Sequence, residues 1–279
     1  MKRWLFAACL VVVCGRWSQA ADPSATAAPT VLPQARLTSC TINPDGPSEP
    51  LRLRRDPRHA TGVVALSAET KPLLRLDTQS LADGDWIEVK ADGAQGWVKS
   101  ARLICRASAE QAKALIADRA ARVITLLQQR DLAALSPLAH PVKGLRFSPD
   151  AFLNKKTNVS LKAAQLPGAL RDGRRRVWGT HDGSGEPIRL NFAEYYRRFV
   201  TDRDFTKATA IAYNGDRLGN SNTADNSVEE YPNALIVEYF LPGTRPEQQG
   251  MDWASLRLIF EQHRSEWYLV YIVHDRWSI

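Results

Sequence analysis

Residues 84–103 read GDWIEVKADGAQGWVKSARL, and this stretch decides the first half of the chain. Asp85, Trp86, Ile87, Glu88, Val89 and Lys90 alternate in character, as a half-buried strand requires. Asp92-Gly93 follows, a dipeptide that favours a tight hairpin turn, and Gln95-Gly96-Trp97-Val98-Lys99 is the returning strand. Upstream, Leu51-Arg52-Leu53-Arg54 alternates in the same way, and Val63-Val64-Ala65-Leu66 is a compact apolar run after Gly62. Five short strands within roughly 65 residues predict a small all-β barrel over residues 37–106.

Beyond residue 107 the composition changes. Residues 37–106 carry only Trp86 and Trp97 as aromatics, whereas residues 107–279 carry seven Phe, seven Tyr and four Trp. That contrast predicts a second domain over 107–279 with a larger core. Ser108 and Gln111 have capping-box spacing, and Ala112, Leu115, Ile116, Ala120, Val123, Ile124 and Leu127 recur at helical intervals. A long helix over 108–130 is expected, then a short segment from Asp131 that Pro137 and Pro141 break. Asn191 and Glu194 repeat the capping-box spacing ahead of a second helix over 191–200, with Phe192, Tyr195, Tyr196 and Phe199 on one face. Runs at 207–213, 233–240, 253–262 and 267–275 are rich in aliphatic and aromatic residues and read as strands, the last two paired as a hairpin. Helices first and a meander last predict an α+β domain with helices packed on an antiparallel sheet.

The N-terminus reads as an address. Lys2 and Arg3 precede ten apolar residues at 5–14, and Ser18-Gln19-Ala20 suits a cut after Ala20. A run that short fits a secretory signal and not a membrane span, so residues 1–20 are expected to be a cleaved signal peptide and residues 21–36 a flexible tether. The expected location is the periplasm or cell envelope, with no transmembrane segment in the mature chain. The 37 basic and 30 acidic residues give +7, and the cut removes three basic residues, leaving +4. That charge is too small to indicate nucleic acid, and no nucleic-acid partner is expected. With 44% apolar and 24% charged residues, a disordered chain, a collagen and a long coiled coil are excluded. Mean hydropathy of −0.32 excludes a multi-span membrane protein. Cys9 and Cys14 leave with the signal, so Cys40 and Cys105 remain and are expected to form a disulfide. No metal and no cofactor are expected, because the Cys and His spacings of a metal site, the phosphate loops and the dinucleotide fingerprints are missing.

Two resemblances add to this reading. Arg54, Pro57, Trp86, Val89, Gly96, Trp97, Val98 and Leu103 stand where the bacterial SH3-like domains of exported proteins carry their motif residues, over about a quarter of the chain. Residues 67–81 depart from that pattern. The resemblance implies a binding module, often for cell-wall peptide or glycan. A groove for polyproline needs tyrosines, and this region has none. The basic cluster Arg52, Arg54, Arg55, Arg58 and His59 is either a contact for an acidic polymer or a solvated loop face. The second half resembles an uncharacterised family of exported bacterial proteins, often lipoproteins. The shared stretches are HPVKGLRFSP from His140, WGTHDGSGEPIRL from Trp178, EYYRRFV from Glu194, YPNALIVEYFLPG from Tyr231, GMDWASLRLIF from Gly250 and WYLVYIVHDRWSI at the end, covering most of 131–279. Its element order is similar to the nuclear-transport-factor-2-like fold, which tends to hold a pocket between helices and sheet.

Candidate binding residues are Arg54, Arg58, Trp86, Trp97, His140, Arg146, Tyr195 and Trp253; the weak catalytic candidates are His181, Asp182 and His274. The leading expectation is an exported cell-envelope binding or accessory protein, partnered by peptidoglycan or another envelope polymer or protein. A hydrolase or isomerase using a histidine in the C-terminal domain is the first alternative, and a structural scaffold is the second. The enzyme alternative requires His140, His181 and His274 to converge with a carboxylate on one concave site.

Overall fold

Alternation along DWIEVKA produces a strand whose Trp86, Ile87, Val89 and Ala91 are buried, and it is paired on both sides. The computed structural model describes residues 39–43, 51–59, 63–66, 73–91, 93–181 and 184–277, which belong to one compact unit. The expected signal, the expected tether and Asp182 lie outside the described residues. The protein is mostly β, with a few helices, one of them long.

The N-terminal sheet contains β1 (Ser39–Ile42), β2 (Leu51–Arg54), β3 (Val63–Leu66), β4 (Leu73–Leu81), β5 (Gly84–Ala91), β6 (Ala94–Lys99) and β7 (Leu103–Ile104). Their order is β3-β2-β6-β5-β4-β1-β7. The hairpin of β5 and β6 turns at Ala91 and Ala94, as the Asp-Gly dipeptide requires. Gly96 lies where a Cβ would sit 2.7 Å from the Arg54 carbonyl oxygen, so only glycine lets β6 approach β2. Cys40 and Cys105 are both buried in this sheet's core and are joined in a disulfide. The bond closes a loop of 65 residues, which the chain-entropy account values at about 4 kcal/mol.

Helix α1 (Ala109–Gln129) starts at Ser108 with both halves of its capping box made. The short α2 (Leu132–Leu135) and a 3-10 turn at Ser136–Leu138 follow, the break that the prolines impose. Helices α3 (Leu166–Ala169), α4 (Phe192–Phe199) and α5 (Ser227–Glu230) complete the helical part, and α4 also has its capping box at Asn191 and Glu194. The second sheet is made of β8 (Leu145–Ser148), β9 (Ser160–Leu161), β12 (Ala210–Tyr213), β13 (Leu235–Leu241), β14 (Ala254–His263) and β15 (Glu266–Arg276), in the order β12-β13-β14-β15-β8-β9. A separate pair, β10 (Arg176–Thr180) and β11 (Pro187–Leu190), brackets the Gly-rich turn.

The sheet differs from the antiparallel expectation in one pairing, since β8 runs parallel to β15. This follows from chain direction: His140 donates its backbone N–H to the Leu269 carbonyl (3.0 Å), and the chain then runs alongside β15 in the same sense. A second difference concerns the strands over 254–276, which are buried on nearly every residue. One face meets the helices. The other is covered by Leu153 and Tyr231, which pack against Ile259, Val270, Tyr271 and Val273, and by a buried ion network. In that network Arg257 pairs with Asp225 (2.6 Å) and Glu238 (3.2 Å), and Arg217 pairs with Asp275 (2.5 Å). The polar segment 214–230 is thereby tied to the sheet.

The space between α4 and the sheet, where a pocket was expected, is filled with rings. Trp178 stacks on Tyr195 at 4.0 Å, and Phe147 and Phe192 meet them edge-on or tilted. Tyr195 is 1% exposed, so it is a core residue and not a side chain at a pocket mouth.

The two sheets meet through polar contacts. The turn between β14 and β15 has positive φ at both Arg264 (49°) and Ser265 (63°), a conformation that favours Asn-Gly. It is held against β4: the Arg264 N–H donates to the Thr78 carbonyl (2.7 Å), and the Ser265 N–H donates to the Asp77 carboxylate.

Candidate functional site

His140 and His263 lie together, ring centroids 5.2 Å apart, and His181 and His274 lie elsewhere. His140 is fully buried, and its Nδ1 accepts the backbone N–H groups of Val142 (3.2 Å) and Lys143 (3.1 Å). Nδ1 therefore carries no proton, and Nε2 faces Ser80 Oγ at 3.4 Å. Burial, with Lys143 and His263 nearby, pushes the His140 pKa down to about 3. His263 accepts the Ser80 N–H at Nδ1 (3.0 Å), and burial pushes its pKa down as well. His274 lies at the far end of β15, five residues beyond Leu269, or about 17 Å along a strand. Its Nε2 meets Asp202 Oδ2 at 2.9 Å, while Nδ1 is buried with no partner among the described residues. The nitrogen that could serve as a base is thus sealed from solvent beside Phe199. His181 is half-buried beside a cavity of about 40 Å³ shared with Phe199, Asp275 and Arg276, which is room for little more than water. His140 does not converge with the other two.

A cleft of about 360 Å³ opens where the sheets meet. At its floor Lys143 Nζ donates to Asp85 (2.5 Å) on β5 and to Glu261 (2.6 Å) on β14. Burial opposes the Asp85 charge, but Lys143 outweighs it and holds the pKa below its ordinary value. Glu261 is pushed up, by burial first and then by sharing its lysine with Asp85. Gly144 positions Lys143: its φ is 73°, and a Cβ there would lie 2.4 Å from the Leu161 carbonyl oxygen. The cleft's other charges are also engaged. Lys155 pairs with Glu230 (3.0 Å) over the Tyr231 ring, and Arg146 donates to the carbonyls of Lys155 (2.6 Å) and Asn158 (2.8 Å). Beside this cleft Arg75, 4% exposed, donates to Gln262 (2.9 Å), the Asn233 carbonyl (2.7 Å) and Thr78 (2.9 Å), under the Trp267 ring. Asn233 in turn accepts the Cys105 N–H (2.6 Å) and donates to Ser100 and the Leu103 carbonyl (both 3.1 Å).

A second cleft, of about 430 Å³, lies at the other end of the C-terminal sheet. Trp253 and Trp277 line it with Arg203, Arg245, Arg276, Asp202, Asp252, Thr244 and Gln248. The loop between β13 and β14 is organised by Asp252, whose carboxylate accepts the N–H groups of Thr244 (3.0 Å) and Arg245 (3.3 Å). Those N–H groups hold the Asp252 pKa below its ordinary value. Arg203 braces the loop from below by donating to the Asp252 carbonyl (2.8 Å). Asp202 is pushed up by burial, but His274 outweighs this and keeps it below the usual range. Trp253 is 5% exposed, and the indole N–H groups of Trp253 and Trp277 are buried without a partner among the described residues.

The N-terminal candidates do not assemble into a comparable site. Trp86 is 2% exposed, with Arg54 (4.6 Å) and Lys99 (4.4 Å) over its ring and its N–H given to Asp83 (3.1 Å). Arg58 is paired with Asp56 by two bonds of 2.9 and 3.1 Å on the exposed surface, and Trp97 is half-buried. Sequence reasoning missed Arg75, Lys143, Asn233 and Glu261 at the junction, and Arg203, Arg245 and Arg276 at the second cleft. Arg75 lies in the stretch 67–81 that departs from the SH3-like pattern, which was the available signal. Comparison with family models, curated proteins and solved structures finds nothing that matches this chain.

Proposed function

We propose that this chain is an exported binding or accessory protein of the cell envelope, built as a small SH3-like barrel and an α+β domain and not used as a catalyst. One observation carries the reading: the three buried histidines, His140, His263 and His274, are consumed by the fold, and His181 faces a cavity of only about 40 Å³. His140 and His263 are neutral acceptors of backbone N–H groups, and the free nitrogen of His274 is closed to solvent. The buried Cys40–Cys105 bond supports an oxidising compartment. Among the described residues no helix is long and apolar enough to cross a membrane, which is compatible with release after export. The strand order of residues 39–104, with Gly96 holding β6 close to β2, supports the SH3-like assignment of the smaller part.

The test is export and retention. The full chain, expressed with its own N-terminus in a bacterium with a periplasm, is expected to begin at Ala21, to contain the disulfide and to cosediment with isolated envelopes in a salt-sensitive manner. An uncut chain in the cytosol, or retention no better than that of an unrelated protein of equal net charge, would overturn the reading.

A further inference from the structure

We propose that the cleft lined by Arg203, Arg245, Arg276, Asp252, Trp253 and Trp277 binds a carboxylate-bearing saccharide, which deepens the envelope-binding reading and rests on it for where the ligand is met. The first support is charge left unmatched. None of the three arginines forms an ion pair with a carboxylate among the described residues, whereas Lys143, Lys155, Asp85, Glu230 and Glu261 at the sheet junction are all paired. Arg203 spends donors on the carbonyls of Asp252 and Pro242, Arg245 engages only its backbone among the described residues, and Arg276 rests at 5.8 Å from the Phe199 ring, acting on Asp202 through space and not through an ion-pair contact. A guanidinium offers five donors in a planar fork that matches a carboxylate.

The second support is the company the arginines keep. Asp202 and Asp252 share the rim with the three arginines, and three positive against two negative groups leave a net charge of +1, which one carboxylate matches and a phosphate dianion exceeds, at the added cost of desolvating its second charge. The same carboxylates, with Thr244 and Gln248, are acceptors and donors for hydroxyl groups. Trp277 is half-buried and Met251 is 42% exposed at the edge, an aromatic ring and a flexible apolar chain that can meet the C–H face of a sugar. The indole N–H groups of both tryptophans are buried in the wall of the cleft without a partner among the described residues, so their resonances report on its packing. An anion, several hydroxyls and an apolar face together describe a uronic acid or a similar acidic sugar. A volume of about 430 Å³ holds two or three such rings.

The experiment titrates the mature full chain with trigalacturonate, with maltotriose as the neutral control, and follows the indole N–H resonances of Trp253 and Trp277. Trigalacturonate is expected to shift both resonances and to bind about tenfold more tightly than maltotriose. Arg245→Gln with Arg276→Gln, both at exposed positions, is expected to cost about tenfold in affinity with an unchanged circular dichroism spectrum. Equal binding of the two trisaccharides, binding untouched in the double variant, or displacement by equimolar inorganic phosphate would overturn the ligand class. Envelope retention without trigalacturonate binding overturns the cleft assignment and leaves the envelope reading standing. Trigalacturonate binding without envelope retention does the reverse.

Discussion

The junction between the sheets and the cleft at Trp253 use the same residue types to opposite ends. At the junction Lys143 holds Asp85 and Glu261 together, and Arg75 is surrounded by three acceptors. At the cleft three arginines share a rim with two carboxylates that are already engaged with His274 and with backbone N–H groups. Burial explains the difference. A charge removed from water must be paired or neutralised, and once paired it fixes structure. A charge on an open rim bears no such demand and stays available to a ligand. Junction variants should therefore cost stability and spare binding, and cleft variants should do the opposite.

The largest effect is expected at Arg75. Arg75→Met leaves the acceptors of Gln262, Asn233 and Thr78 unpaired, for a loss of about 3 kcal/mol in chemical denaturation. Lys143→Met leaves Asp85 and Glu261 facing each other at a half-buried site. A loss of about 2 kcal/mol is expected, below the figure for a fully buried pair, and Glu261→Gln added to it should recover part. A Lys143→Met protein as stable as the parent would break the contrast.

Acid should loosen the junction before the cleft. Both His140 and His263 have folded pKa values below the ordinary 6.5, so the unfolded chain binds more protons beneath that pH. Their contribution is full above pH 6.5 and is lost as pH falls towards the folded values, about 3 for His140, at up to about 1.4 kcal/mol per pH unit from His140 and less from the more exposed His263. Glu261, whose pKa is raised, acts in the contrary sense, because its folded form keeps a proton longer and gains stability as pH falls towards 4.5. Denaturation midpoints between pH 7 and pH 5 should drop in the parent and drop less in His140→Asn. The smallest effect is expected at Arg58, whose exposed pairing with Asp56 should leave the midpoint unchanged on substitution by alanine.

Elements with local signals were legible in the sequence. The two capping boxes, the Asp-Gly hairpin, the final hairpin and the disulfide each depend on residues close in sequence or on counting cysteines, and each is present. What was hidden depends on contacts between distant segments. Arg75 carries no local signal of its role, which exists only once Gln262, 187 positions away, is brought to it. The parallel β8–β15 pairing needs a chain crossing that no local pattern encodes. For Tyr195 the face was legible and the role was not, because a helix stripe of aromatics looks the same whether it lines a cavity or fills one, and here it fills the core. Trp253 was found as an aromatic in a strand, but its three arginines come from after α4, from the β13–β14 loop and from the end of β15.

The buried histidines of this fold build structure and do no chemistry. Nitrogen NMR of the imidazole rings tests this most directly, as a pH titration of His140. The expected result is a neutral ring with an unprotonated Nδ1 that persists to pH 4. A ring that titrates near pH 6.5, or that carries its proton on Nδ1, would contradict the claim and return His140 to the set of groups free to act on a substrate.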